Sequence, residues 1–316
     1  MKASNVIDSA RSSTTAGPAL SVVVVPFGGL ENLDRCLSAL EAQVNATATE
    51  IVVPWPESFH SQHAIAERFP DVLFVGPATS DGHPALRALG CRSATGQIIA
   101  LTEAQCTPDV GWCAAILGAH SRLTGVVGGV VEKDDADSAA EWAVYLADYG
   151  RYMKPAAEGP AASLSDVNVS YKREALMAVQ ATWVEAFHEN AVHEALRERG
   201  GSLWLSPMLV VRHRRAVRIV PLLRERFQHA RMYATARAAN AGMATRMALA
   251  SGSVILPALL ILRVAVVVTR KRRHIGRFFG ALPSLAGMAV AWSCGELVGY
   301  VTRNPGTPSP LSGSSA

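Results

Sequence analysis

The sequence predicts an α/β fold, a mostly parallel sheet flanked by helices, with a C-terminal helical membrane hairpin. Three observations carry this expectation. Apolar runs of strand length alternate with amphipathic stretches from Leu20 to about Val211, the spacing of a sheet covered on both faces. Two longer apolar runs, residues 251–269 and 279–301, are each long enough to cross a hydrocarbon core of about 30 Å. Charge is divided between the two parts. Residues 1–211 carry 14 Lys and Arg against 24 Asp and Glu, a balance of −10. Residues 212–277 carry 15 Lys and Arg against Glu225 alone, a balance of +14. An acidic domain followed by a basic, apolar part suits docking on an anionic membrane surface, with lipids as partners. Nucleic acid is not expected as a partner, because the basic region lacks interleaved aromatics and leads into apolar segments.

Each element has its own signal. Residues 20–25 (LSVVVV) form a buried strand ended by Pro26, and residues 30–44 place Leu33, Cys36, Leu37 and Leu40 on one helical face. Strands follow at 50–53, 72–75, 97–102 and 125–131, with helices at 58–69, 84–94 and 109–122 between them. Residues 132–165 are looser. They hold an acidic run, an aromatic helix-like segment (Trp142, Tyr145, Tyr149, Tyr152) and a Pro/Ala/Gly loop, either a wall or lid of a ligand site or a packed surface helix with its connector. Residues 166–176 read as a strand entering a helix, 186–200 as a helix capped by Gly201, and 203–205 and 208–211 as two short strands. Residues 219–250 read as one long, Arg-studded helix. The expected domains are a disordered tail (1–17), the α/β domain (18–212), a basic juxtamembrane segment (213–250), the apolar pair (251–301) and a second tail (302–316). The five cysteines have no metal-ligand spacing and read as small buried hydrophobes.

The segment GQIIALTEAQCTPDVGW, residues 96–112, is the most informative. It runs from a helix-breaking glycine through a buried strand to the next helix, and Glu103 and Gln105 sit at the end of that strand. Ligands of open α/β sheets bind at such carboxyl ends.

With this segment in place, the chain resembles the family 2 glycosyltransferases from about Leu20 to Arg237. The resemblance rests on several segments in order: SVVVVP, LDRCLSALEAQ, HPALRALGCRSATGQIIALTE, PDVGW, GVVGGVV, DVNVSYKREAL, FHENAVHEALRERGG and RERFQHARMYATAR. It implies the GT-A fold and transfer of a sugar from a nucleotide-diphosphate donor to a lipid-linked or polysaccharide acceptor. Glu103 and Gln105 stand at the family's Asp-x-Asp pair, which holds a divalent metal, Mg or Mn, on the donor. One hard carboxylate and one neutral carbonyl make a weaker site than two aspartates. Glu189, in Glu189-Asn190, stands at the catalytic-base position. His193, one helical turn on, supports Glu189, binds leaving-group phosphate when protonated, or is a solvent-facing side chain. Arg87 matches a position facing the donor and Asn168 one near the donor–acceptor junction, or each is structural. Trp55, where the family usually has a base-binding Asp, either stacks on the nucleotide base or belongs to the core.

The resemblance to a nucleotide-sugar enzyme implies a membrane-associated protein with a cytoplasmic catalytic domain, at the inner membrane in a bacterium. If both apolar runs span, the basic loop RKRRHIGR lies across the membrane, against the positive-inside rule; a re-entrant or interfacial hairpin keeps it inside. A soluble helical interface with a partner is the third arrangement. In a hairpin, Arg263 lies seven residues before Arg270, about 10 Å deep, and snorkels toward the loop. The loss of usual acidic positions also admits a second function, a catalytically silent GT-A domain that scaffolds polysaccharide assembly.

Overall fold

The computed structural model describes residues 17–56, 62–78, 82–122, 125–134 and 138–306. The start of the helix expected at 58–69, part of the acidic run after Lys133 and most of both tails lie outside them.

The first half is a run of strand–helix units: β1 (Leu20–Val25), α1 (Leu30–Thr47), β2 (Thr49–Pro54), α2 (Gln62–Arg68), β3 (Leu73–Val75), α3 (His83–Ser93) and β4 (Ile98–Glu103). Then come β5 (Cys106–Pro108), α4 (Trp112–Arg122), β6 (Val126–Lys133), α5 (Ala139–Asp148), β7 (Gly159–Pro160), β8 (Val169–Lys172), α6 (Arg173–Ala178), α7 (Glu189–Glu198) and β9 (Leu203–His213). The chain ends in α8 (Ile219–Arg237), α9 (Met243–Ser253), α10 (Leu256–Lys271) and α11 (Ile275–Thr302). All nine strands join one mixed sheet, ordered β3-β2-β1-β4-β8-β6-β9-β5, with β7 on β9. The first four are parallel; β8 then enters antiparallel between β4 and β6. The α/β expectation therefore holds, and the sheet is more mixed than alternation alone suggests.

Two expected strands near the end of the sheet are one. In β9 the register against β6 jumps from Gly129↔Ser206 to Val130↔Val210, so residues 207–209 bulge out. Pro207 lacks a ladder N–H, and such a residue suits a bulge. The bulge is braced by Asn168, whose Nδ2 donates to the carbonyls of Val130 (2.8 Å) and Leu209 (3.0 Å) while its Oδ1 accepts from Trp112 Nε1 (3.0 Å).

The long basic helix expected at 219–250 is broken between α8 and α9, where Asn240 and Gly242 stand. Asn and Gly mark turns, and apolar periodicity passes over them. The hydrophobic core also crosses the expected domain limits. Val264, Val268, Phe278, Ala281, Leu285 and Met288 belong to the same buried cluster as β1, α1 and α5. The C-terminal helices are thus a layer of the domain, packed through α11 on α8, α5, α9 and α10.

The basic loop between α10 and α11 lies on the α/β part of the chain. Arg273 Nη1 pairs with Glu132 at 2.8 Å, Lys271 Nζ donates to the carbonyls of Met153 and Pro155, and the Arg277 guanidinium sits over the Trp142 ring at 5.5 Å. A hairpin that carried this loop across a bilayer would have to break these contacts. Among the described residues, α11 alone is one continuous helix long and apolar enough to cross a membrane; α9 and α10 qualify only as a pair bent by 56°.

Helices α8 and α11 approach at backbone distance. A Cβ at Gly295 would collide with the Phe227 carbonyl oxygen, and one at Gly299 would lie 2.5 Å from that of Arg231. Because both partners are helical backbone, Gly295→Leu is expected to push the helices apart and cost about 1–3 kcal/mol, as overpacking does. Urea unfolding of the full chain measures it; an unchanged midpoint would show that the contact does not constrain the fold.

Candidate functional site

The carboxyl ends of β1 and β4 open onto one centre, and its cation is a protein side chain. Arg87, on α3 and 4 % exposed, donates through Nη2 to Glu103 Oε1 (2.7 Å) and Asp166 Oδ2 (2.6 Å), and its Nη1 lies 3.6 Å from Glu189 Oε2. One guanidinium therefore ties the end of β4, the segment before β8 and the first turn of α7. His83, on the first turn of α3, reaches Glu103 Oε1 with Nδ1 at 3.1 Å and stacks on Phe27 from the loop after β1. Burial works against the charge on Arg87, and Asp166, Glu103 and Glu189 more than restore it, so its pKa is raised. Burial likewise opposes ionisation of Glu103, but His83, Arg87 and His213 outweigh it and hold its pKa at about 2. Glu189 shifts the other way: desolvation and the neighbouring Asp166 raise its pKa, against the pull of Arg87. A carboxylate raised in this way is better matched to taking a proton near neutral pH.

Beside this centre lies a cavity of about 380 Å³, a size suited to small-molecule ligands. Asp166, Glu189 and Asn190 form one part of its wall; Tyr149, Arg151 and Arg263 contribute others. Arg263 is on α10. It was expected to snorkel toward the basic loop, and it faces this cavity instead because α10 packs against the turn at Gly150–Tyr152.

The expected site residues separate into two groups. Glu103, Arg87 and Glu189 come together. Asn168 is fully buried and braces the β9 bulge, with its amide committed to protein partners. Trp55 is 3 % exposed and meets Phe74 edge-on at 5.7 Å in the core, so its ring is not open to stack on a base. His193 is 2 % exposed, with Nε2 2.9 Å from the Tyr171 hydroxyl; burial lowers its pKa to about 4, so it is neutral and held in the core by Tyr171. Helix α7 presents its N-terminus to the centre and buries Val192, His193 and Leu196 one turn later. Asp166 and His83 are the members that sequence patterns did not place here. Both lie inside segments of the resemblance, and only the fold brings them to Glu103. Of the cysteines, four are buried and Cys294 is exposed.

The metal expectation fits this arrangement poorly. Glu103 is engaged by Arg87 and His83, and among the described residues no three His, Cys, Asp or Glu side chains are grouped to hold a metal ion. Gln105 lies over the loop after β1, where Gly28 has φ +86° and an added Cβ would come within 2.6 Å of Gln105 Nε2. Its neutral amide adds no anionic oxygen.

A scan of protein-family models and a search of curated proteins find no match. Among solved structures, the chain is similar to the mannosyltransferase PcManGT of Pyrobaculum calidifontis, in complex with GDP-Man and Mn²⁺. The TM-score is 0.52, the identity 16 %, and 87 % of each chain is covered. At that identity the likeness establishes a GT-A-like fold.

Two outcomes follow from this geometry. Arg87→Met should destabilise the protein by about 3–5 kcal/mol, because it takes the guanidinium partner from the buried Glu103 and leaves it only His83. Since Glu103 is held at about 2, the stabilisation is full above the ordinary glutamate pKa and lost as pH falls toward 2. Urea titrations of wild type and variant between pH 7 and pH 3 should therefore converge; a constant gap would separate Arg87 from the Glu103 charge. Mn²⁺ alone should leave the wild-type melting temperature unchanged and raise that of Gln105→Asp, which adds a hard ligand. A clear shift of wild type with Mn²⁺ would mean that the Arg87–Glu103 pair opens to admit the ion.

Proposed function

We propose that the protein is a nucleotide-sugar-dependent glycosyltransferase, membrane-associated with its catalytic domain on the cytoplasmic side, acting on a lipid-linked or polysaccharide acceptor. The observation that carries this is Glu189: a carboxylate with raised pKa on the wall of a cavity, at the ligand-binding end of a GT-A-like sheet. In the reaction, an acceptor hydroxyl attacks the anomeric carbon of the donor, the bond to the diphosphate breaks, and Glu189 takes the hydroxyl proton. Desolvation, and after it the like charge of Asp166, keeps the Glu189 carboxylate basic. Arg87 holds both carboxylates in place through two different nitrogens. The docked basic loop favours an interfacial arrangement of the C-terminal helices over a spanning hairpin.

A second reading, a silent GT-A scaffold, is favoured by one specific observation: Glu103, the carboxylate at the metal-pair position, is already neutralised by Arg87. Donor binding separates the two. Full-length protein in detergent, titrated with GDP-mannose and UDP-glucose, should melt at a higher temperature with its own donor. Binding of no nucleotide sugar across a wider panel would favour the scaffold.

For the enzyme, Glu189→Gln is expected to lower turnover at least a hundredfold, in line with the ~10²–10⁴ contribution of a general base, with near-normal donor affinity. Wild-type turnover should rise with pH through a value above the ordinary glutamate pKa. A raised folded-state pKa also means that ionised Glu189 costs stability as pH rises. The same variant should therefore melt no lower than wild type at pH 7. Wild-type turnover in Glu189→Gln would move the base to another group.

A further inference from the structure

Helix α10 has two sides. Ile255, just before its first turn, with Leu259, Leu262 and Val266, makes an apolar face that is 60, 53, 58 and 37 % exposed, while Val264 and Val268 are buried in the main core. Arg263 lies roughly 70° around the helix from the middle of the exposed face, at about 100° per residue. It stands at the seam, and it lines the cavity that holds Asp166 and Glu189. Arg151 lines the same cavity from the turn after α5.

The carboxylates of this wall already have arginine partners: Asp148 pairs with Arg226, and Asp166 and Glu189 with Arg87. Arg151 and Arg263 form no ion pair among the described residues; Arg151 packs over the Tyr152 ring at 4.7 Å. Two exposed guanidinium groups without carboxylate partners, facing a cavity, are chemistry for a phosphate.

We propose that the acceptor is a lipid-borne sugar phosphate. Its sugar hydroxyl lies at Glu189, its phosphate or diphosphate at Arg151 and Arg263, and its hydrocarbon chain along the apolar face of α10. The proposal rests on the glycosyltransferase reading above. Carboxylate, guanidinium pair and apolar face follow one another on the protein as sugar, phosphate and lipid do on such a molecule. A neutral polysaccharide end would leave both arginines without a counter-charge. The acceptor phosphate takes no part in bond making: the new bond joins the acceptor oxygen to the donor anomeric carbon, the bond to the donor diphosphate breaks, and the proton goes to Glu189.

The test uses the full-length protein in detergent micelles and three probes: glucose, glucose 1-phosphate and glucose linked to farnesyl diphosphate. Calorimetric titration should show glucose 1-phosphate binding at least tenfold tighter than glucose, and the farnesyl conjugate tighter again. Arg263→Glu and Arg151→Glu should each remove at least tenfold of that preference, Arg263→Lys should keep part of it, and Leu259→Ser with Leu262→Ser should remove the gain from the farnesyl chain. Arg270→Glu, on α10 but outside the cavity wall, should change none of these. Equal binding of glucose and glucose 1-phosphate would overturn the proposal, as would a loss in Arg270→Glu equal to that in Arg263→Glu. No gain from the farnesyl chain would assign the cavity to a soluble sugar phosphate and overturn the lipid part. GDP-mannose and UDP-glucose are titrated in parallel: their failure to bind wild type counts against the donor reading, and a change confined to the acceptor probes counts only here.

Discussion

The buried guanidinium of Arg87 is the constraint on which the centre depends. It sits on α3 and reaches three segments distant in sequence: the end of β4, the approach to β8 and the start of α7. Without it, Glu103, at 4 % exposure, would keep only its contact with His83, and Asp166 and Glu189 would lose the cation between them. A buried ion pair is weak evidence for net stability, because desolvation offsets most of the attraction. Its consequence here is geometric: three carboxylates that repel one another are held at fixed positions by the cation they share. The same cation removes Glu103 from the pool of free metal ligands.

The C-terminal helices matter to the site as well as to any membrane contact. Gly295 and Gly299 let α11 lie against the backbone of α8, and that pair carries α10 against the turn after α5. Arg263 reaches the cavity only because of this docking. Docking of the loop from Lys271 to Arg277 on Glu132, Met153 and Trp142 acts in the same direction. The outward apolar face of α10 and the residue it sends into the cavity wall are then neighbours on one helix.

Much of the fold was legible because it depends on periodicity. The first strand, the helix after it and the order of strand–helix units follow from local apolar spacing. The antiparallel insertion of β8, the bulge in β9 and the break at Gly242 were not legible. Each depends on a partner distant in sequence or on a single turn residue inside a longer pattern. The site was legible in address and only partly in membership. Glu103 and Glu189 could be placed by their segments, but burial decides what their neighbours do. Trp55, Asn168 and His193 have the right residue types for binding, and all three are committed to the core. His83 and Asp166 gave no local signal, since their relevance is contact with residues 20 and 79 positions away.

The pKa pattern gives this centre a direction. Glu103 is held at about 2 and Arg87 stays charged, so neither changes state between pH 5 and 9. His193 and His213 are pushed down to about 4 by burial and remain neutral over the same range. Glu189 is moved toward that range, by desolvation and by Asp166. Structural ion-pair networks lower the pKa of their carboxylates, as Glu103 shows; a purely structural role would be expected to do the same to Glu189. A carboxylate raised while its neighbour is lowered, with both joined to one arginine, is the separation by which two acids acquire different tasks. Glu103 is the fixed anion that holds Arg87, and on the proposed reading Glu189 is the group that exchanges a proton in the cavity.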